Sequence, residues 1–108
     1  MIEYTKVNDG QEIGKLEREE FGVIFTSLKD ADVRRKYSVI DARTPRLPSY
    51  IQAYHITSAE GEVTLIGEIE TSSREAKISI TGRENARTIV KKHLEEIAIL
   101  SVQTLETN

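Results

Sequence analysis

The last third of the chain constrains the fold most strongly, because it contains a sharp change from a strand pattern to a helix pattern. Residues 77–80 alternate between polar side chains and isoleucine, which is typical of a strand. Thr81 follows, and Glu84 lies three residues later. This spacing is the capping-box signature of a helix N-terminus. It predicts that a strand ends and a long helix begins at this junction.

The residues after the junction repeat with the period of an amphipathic helix. The predicted apolar stripe consists of Ala86, Ile89, Val90, Leu94, Ile97, Leu100 and Leu105. Burying it contributes about 1.5–3 kcal/mol per large aliphatic side chain before conformational entropy is subtracted. Ile99 and Val102 lie off this stripe, and we predict that they contact another chain. The alternative is that they are scattered apolar residues at a frayed helix end.

Strand patterns cover much of the remaining chain. β-Branched and aromatic residues predict strands at residues 2–7, 37–42, 50–57, 62–70 and 76–81. Turn-forming residues at 58–61 and 71–75 predict hairpins, so neighbouring strands should run antiparallel. Both prolines fall at residues 43–48, which predicts a loop or a sheet edge there.

Residues 11–29 are open to two interpretations. Phe21, Ile24, Phe25 and Leu28 share one helical face, and acidic residues precede them, so we favour a helix over about 15–29. A strand over 21–28 is the alternative. The preceding Asn8-Asp9-Gly10 is a turn signal that either closes a hairpin or, through Asp9 and Glu12, caps a helix.

These patterns predict a single α+β domain over residues 1–108. We expect an antiparallel sheet of about four to five strands, covered on one face by a long C-terminal helix, with a shorter N-terminal helix. The chain has 108 residues, of which 38% are hydrophobic and 31% are charged. A chain of this size can bury one core.

The composition excludes several classes of protein. There is no cysteine, so disulfides, zinc ribbons and thiol catalysis are excluded. No apolar run approaches a membrane span, and residues 1–20 are too polar for a signal peptide, so we expect no membrane partner and a cytoplasmic location. The lack of cysteine and the many Glu, Lys and Arg residues would also suit a thermophile.

No residue pattern predicts a catalytic centre. The two histidines, His55 and His93, lack the spacing of a metal site. Glu68 and Glu70 share a strand face, but such a pair is more typical of a solvated face than of acid–base catalysis. Phosphate-binding glycine loops are absent. We therefore predict no catalytic residue, no metal and no cofactor, and an enzyme ranks third among the functions considered.

Basic residues form the main candidate binding cluster. Arg83, Arg87 and Lys91 follow one another at helical spacing, while Arg43 and Arg46 lie beside the prolines. Such residues bind phosphates when they converge on one surface. They predict a nucleic-acid site, although the net charge of −3 gives the whole chain no attraction for nucleic acid.

One segment resembles a known nucleic-acid-binding family. Residues 71–73 and 77–82, followed by Asn85-Ala86 and Val90-Lys91, are similar to the closing strand, glycine and helix of a TATA-binding-protein half-repeat. KH-type RNA-binding modules share a similar strand–helix end. The resemblance implies nucleic-acid binding, but the paired repeat and intercalating phenylalanines of the first family and the Gly-x-x-Gly loop of the second are missing.

Two classes of function follow from the sequence. We favour a small non-enzymatic interaction or accessory module that self-associates or binds another protein, through Ile99, Val102 and an exposed strand edge. The alternative is a nucleic-acid-binding module that uses the basic residues.

Overall fold

The computed structural model of this chain describes residues 2–28, 40–46, 49–70 and 72–107, with side chains for residues 2–28, 51–70 and 72–98. The N-terminal half begins with a strand pair and a helix. The elements in chain order are β1 (Glu3–Asn8), β2 (Gln11–Glu17), α1 (Arg18–Ser27), β3 (Ile40–Arg46), β4 (Ser49–Ser58), β5 (Gly61–Glu70), β6 (Glu75–Gly82) and α2 (Glu84–Thr107).

The described strands form one antiparallel sheet in the order β1-β2-β6-β5-β4-β3. Strands β3 to β6 are a meander of consecutive neighbours, and the β1–β2 hairpin is added beside β6. The predicted α+β class and the longer C-terminal helix are confirmed. Both hairpin turns predicted in the second half are also confirmed, at the β4–β5 and β5–β6 connections. Residues 37–39 of one predicted strand lie outside the described residues.

Strand β2 was not predicted, and it corrects the expected start of the first helix. Residues 15–17 belong to β2 rather than to a helix, and α1 begins at Arg18. Asp9 and Gly10 form the turn of the β1–β2 hairpin, so the hairpin interpretation of this turn signal is correct. At the start of α1 the Glu17 backbone N–H donates to Glu20 Oε1 at 3.4 Å. The helical interpretation of residues 21–27 is confirmed.

The helices lie on one face of the sheet, where they close the hydrophobic core. The predicted inner side of α1 is buried, and the rings of Phe21 and Phe25 stack with 4.2 Å between their centroids. They pack directly over Gly67 of β5, where an added Cβ would collide with both rings. Among the predicted stripe residues of α2 whose side chains are described, Ala86, Val90, Leu94 and Ile97 are buried and Ile89 is half-buried.

The connection between β6 and α2 differs from the predicted capping box. Thr81 lies within β6, paired with Thr64, and the helix begins at Glu84. Gly82 has φ +156°, and a side chain there would press against the Glu62 carbonyl oxygen. The Arg87 N–H donates to the Arg83 carbonyl at 2.9 Å, so the first helical turn closes on Arg83. The predicted position of the cap was wrong because sheet pairing extends through Thr81.

Among the described strands, β1 and β3 form the two edges of the sheet. β1 is irregular between Lys6 and Asn8, where its register with β2 shifts. β3 contains Pro45 opposite Tyr50, which agrees with the sheet edge predicted from the prolines. A bulge and a proline both discourage an edge strand from pairing with another chain.

Candidate functional site

The basic residues predicted to bind phosphate do not all face the solvent. Arg87 is only 2% exposed, on the side of α2 that packs against the sheet. Its Nη1 donates to Glu12 Oε2 at 2.7 Å, and its Nε donates to the Gly82 carbonyl at 3.0 Å. These contacts use the guanidinium to join α2 to β2 and to the end of β6.

Lys91 completes this ion-pair cluster one helical turn later. Its Nζ donates to Glu12 Oε1 at 2.8 Å, so both carboxylate oxygens of Glu12 are occupied. Lys91 also lies over the ring of Tyr4, 5.3 Å from its centroid. Burial alone would raise the pKa of Glu12, but hydrogen bonds and charges from Lys91 and Arg87 outweigh burial and lower it. Glu12 is therefore held as a carboxylate.

Arg83 is exposed, but its surroundings are acidic. It lines a shallow depression beside the β1–β2 turn together with Asp9, Glu62 and Glu84. Carboxylates at such a position repel a phosphate group, so they oppose the phosphate contact that Arg83 alone would favour.

The other two predicted basic residues lie on the far edge strand, β3. Arg43 pairs with Gln52 and Arg46 with Ser49. Being three positions apart, Arg43 and Arg46 belong to opposite faces of the strand. The five basic residues therefore do not share one surface by position, and nucleic-acid binding stays a prediction that the fold does not strengthen.

The predicted interface residues, Ile99 and Val102, lie in the C-terminal half of α2. Their side chains are outside those described, so the contact predicted for them stays a prediction.

The face of the sheet opposite the helices is a second candidate surface. In the described structure α1 and α2 both pack on the other face, and the residues on this side alternate with the buried ones. We call it the open face. Ile66, at its centre, is 38% exposed.

Two adjacent rows of the open face contain no charged side chain. The strand registers place them side by side across β1, β2, β6, β5 and β4, and we call them the uncharged rows. One row consists of Thr5, Ile13, Ser79, Ile66 and Ala53, and the other consists of Gln11, Thr81, Thr64 and His55. In register the first continues to Ala42 and the second to Ile40 on β3. Since 31% of the chain is charged, an uncharged stretch this wide stands out from the rest of the molecule.

Some polar side chains within the uncharged rows form hydrogen bonds with one another. Gln11 Nε2 donates to Ser79 Oγ at 3.1 Å, which ties β2 to β6. Thr64 Oγ1 lies 3.3 Å from His55 Nδ1 across β5 and β4. Covering paired polar groups costs less than covering groups that lose water without gaining a partner.

Charges flank the uncharged rows: Glu62 lies beyond Thr64 on one side, and a whole row that contains charges lies on the other. This row consists of Glu3, Lys15, Lys77 and Glu68, followed by Ile51. Beyond it lies a row that contains three glutamates, Glu17, Glu75 and Glu70, and continues in register to Ser49 and Arg46. The open face is thus uncharged at its centre, mixed in charge beside it and acidic over β2, β6 and β5 at that end.

Comparisons with other proteins place no further limit on the function. No protein-family model matches the chain, and no curated protein matches it. Among the described residues, no group of three or more His, Asp or Glu side chains is arranged to hold a metal ion. The helices of the described part are too short or too polar to cross a membrane.

The sequence identified the basic residues but not the carboxylate that binds two of them. Glu12 was missed because its partners Arg87 and Lys91 lie more than seventy residues away along the chain. A sheet covered on one face was predicted, but its other face was not recognised as a candidate binding surface. One signal was present, because Ile66 is the apolar exception on the polar side of its strand.

Proposed function

We propose that this chain is a small non-enzymatic interaction module, and that its binding surface is the open face of the sheet. The carrying observation is the pair of uncharged rows that crosses the sheet around the exposed Ile66. Exposed apolar surface rimmed by polar residues is typical of protein interaction sites.

The chemistry of the open face suits a protein surface better than a phosphate backbone. Its centre offers Ile66, Ala53, Ile13 and hydroxyl groups, and these are suited to a dry or partly dry contact. Its acidic end would repel phosphates. For this reason nucleic-acid binding ranks below protein binding.

The sheet edges are less suitable contact surfaces than the open face. The irregularity after Lys6 and the proline at position 45 discourage strand addition at β1 and β3. The contact predicted for Ile99 and Val102 does not compete with binding at the open face, because α2 lies on the other side of the sheet. That contact would form a second binding surface.

Site-specific photo-crosslinking in the cells that make the chain tests this proposal. A benzophenone amino acid replaces Ile66 in one variant and Thr26 in a control variant. Thr26 is exposed on α1, which packs on the opposite face of the sheet. We expect protein adducts from position 66 and few from position 26. Absence of adducts from position 66, or equal yields from both positions, would contradict the proposal.

A further inference from the structure

We propose that the open face binds a second copy of this chain, related by a two-fold axis that runs parallel to the strands between β5 and β6. This inference rests on the proposed function, because it names the partner of the same surface. It is carried by the self-complementary arrangement of residues on the open face.

The strand order makes such an axis central. Three strands lie on each side of the β6–β5 boundary. A half-turn about the axis therefore places β6 over the second copy's β5, and β2 over its β4. Within the uncharged rows Ser79 then faces the second copy's Ile66, and Thr81 faces its Thr64. The uncharged rows therefore meet each other at the centre of the face.

The neighbouring charged row selects this axis over its perpendicular alternative. Lys77 and Glu68 are cross-strand partners within one chain. The half-turn places Lys77 of each copy opposite Glu68 of the other, so four charges alternate in sign around a square. An in-plane axis perpendicular to the strands that passes through the central row of Ser79 and Ile66 would instead set Lys77 opposite Thr81. Electrostatic complementarity of this kind fixes the register of an interface.

The acidic end of the face opposes close approach at one rim. Under the same half-turn Glu75 lies opposite the second copy's Glu70, and both residues are exposed. Packed sheets cross at about 30° because of their twist, which spreads the strand ends apart. The repulsion is therefore solvated and screened, whereas the Lys77–Glu68 contacts lie closer to the centre.

The area of the face is close to what a dimer needs. Six strands spaced by about 4.8 Å, with about eight residues each at 3.4 Å, cover roughly 700 Å². A standard protein interface buries about 800 Å² on each partner. Most of the face therefore has to take part in the contact.

A charge-exchange experiment tests the axis. Lys77→Glu and Glu68→Lys each place like charges opposite one another in a homodimer, so we expect each variant to dimerise at least tenfold more weakly than the unchanged chain. In an equimolar mixture every contact between copies becomes attractive, and we expect a heterodimer at least as tight as the original dimer. The like charges within each chain remain, so recovery must arise between copies.

Sedimentation velocity of the full chain, with one variant fluorescently labelled, measures both effects. Lys92→Glu and Glu96→Lys are matched controls, because both residues are exposed on α2, away from the open face. We expect neither to change the dimer. The proposal is overturned if the unchanged chain is a monomer at high micromolar concentration, if the single variants dimerise normally, or if mixing restores nothing.

The two proposals fail in different ways. If position 66 crosslinks to a different protein while the chain remains monomeric, the open face is still an interaction surface but its partner is not a second copy. If position 66 yields no adduct, the proposed function itself is wrong. If the unchanged chain dimerises but mixing restores nothing, the axis is wrong and the proposed function stands.

Discussion

The two faces of the sheet are formed by the same strands but differ in what their side chains contact. On the covered face Gly67 admits two phenylalanine rings, and Glu12 neutralises the nearly inaccessible Arg87. On the open face the centre has neither charges nor large rings among the described residues. The covered face depends on particular contacts between distant residues, whereas the open face depends on a broad chemical character. Substitutions should therefore affect folding on one side and association on the other.

The largest expected difference between the two faces is the loss of unfolding free energy when a side chain is truncated to alanine. Phe25 is buried between Phe21 and Tyr54, so Phe25→Ala should lower the free energy of unfolding by about 3–5 kcal/mol. Ile66→Ala on the open face should cost less than about 1 kcal/mol, because Ile66 is already partly solvated. Urea denaturation at low protein concentration measures both. Equal losses would show that the two faces are not distinct in this way.

Removing the Glu12 carboxylate tests how much the ion pair with Arg87 on the covered face stabilises the fold. Glu12→Gln leaves the Arg87 guanidinium buried without its charged partner, and we expect a loss of about 3 kcal/mol in unfolding free energy. Lys91→Met is the matched comparison. Lys91 is 25% exposed and the Arg87–Glu12 pair remains, so its loss should stay below about 1 kcal/mol. Similar effects of both substitutions in denaturant titrations would argue against a central role for Arg87.

One substitution made at two glycines should have opposite effects. Gly67→Ala forces Phe21 and Phe25 to move, and we expect a loss of about 1–3 kcal/mol. Gly22→Ala in α1 meets open space and removes a helix-weakening glycine, so we expect a gain of about 0.5–1 kcal/mol. Thermal unfolding followed by circular dichroism should show the two midpoints moving in opposite directions. A stable Gly67→Ala variant would mean that the rings have room to move.

The smallest expected effect is on the pH dependence of stability. Because the pKa of Glu12 is lowered in the folded chain, its contribution is complete above the unfolded value of about 4.5. That contribution is lost as the pH falls through the lower folded value. Glu12→Gln should therefore flatten the fall of unfolding free energy in acid. Parallel curves for both proteins in denaturant titrations across this pH range would contradict the assignment.

Local sequence patterns predicted most elements because their apolar residues repeat with the period of a strand or helix, and these residues are the ones that are buried. In β5 Val63, Leu65 and Gly67 alternate with neighbours that are polar except for Ile66, and this pattern is visible in the sequence, as is the helical spacing in α1. Strand β2 follows this rule only in part. Leu16 is buried on its covered side, but that side also includes Glu12 and Gly14, whereas Ile13 lies on the open face.

The exceptions in β2 are explained by contacts with residues of other elements. Gly14 is opposite Tyr4, whose ring occupies the space that a side chain at position 14 would need. Glu12 is half-buried because α2 brings Arg87 and Lys91 to it. The residues that account for β2 thus belong to other elements, and no local window contains the partners of Glu12. The burial of Arg87 could not be predicted for the same reason: its partner Glu12 is distant in sequence, and within α2 alone Arg87 has the pattern of a surface residue.

The position of the β1–β2 hairpin also determines when the sheet can be completed. Residue 11 pairs with residue 81, so during synthesis the hairpin is made long before its partner strand β6. The meander of β3 to β6 needs only neighbouring segments, but the hairpin must wait for its partner strand. Such distant pairing slows folding, and we expect the hairpin to dock late. Leu16→Ala should then speed unfolding in stopped-flow measurements while leaving the refolding rate nearly unchanged.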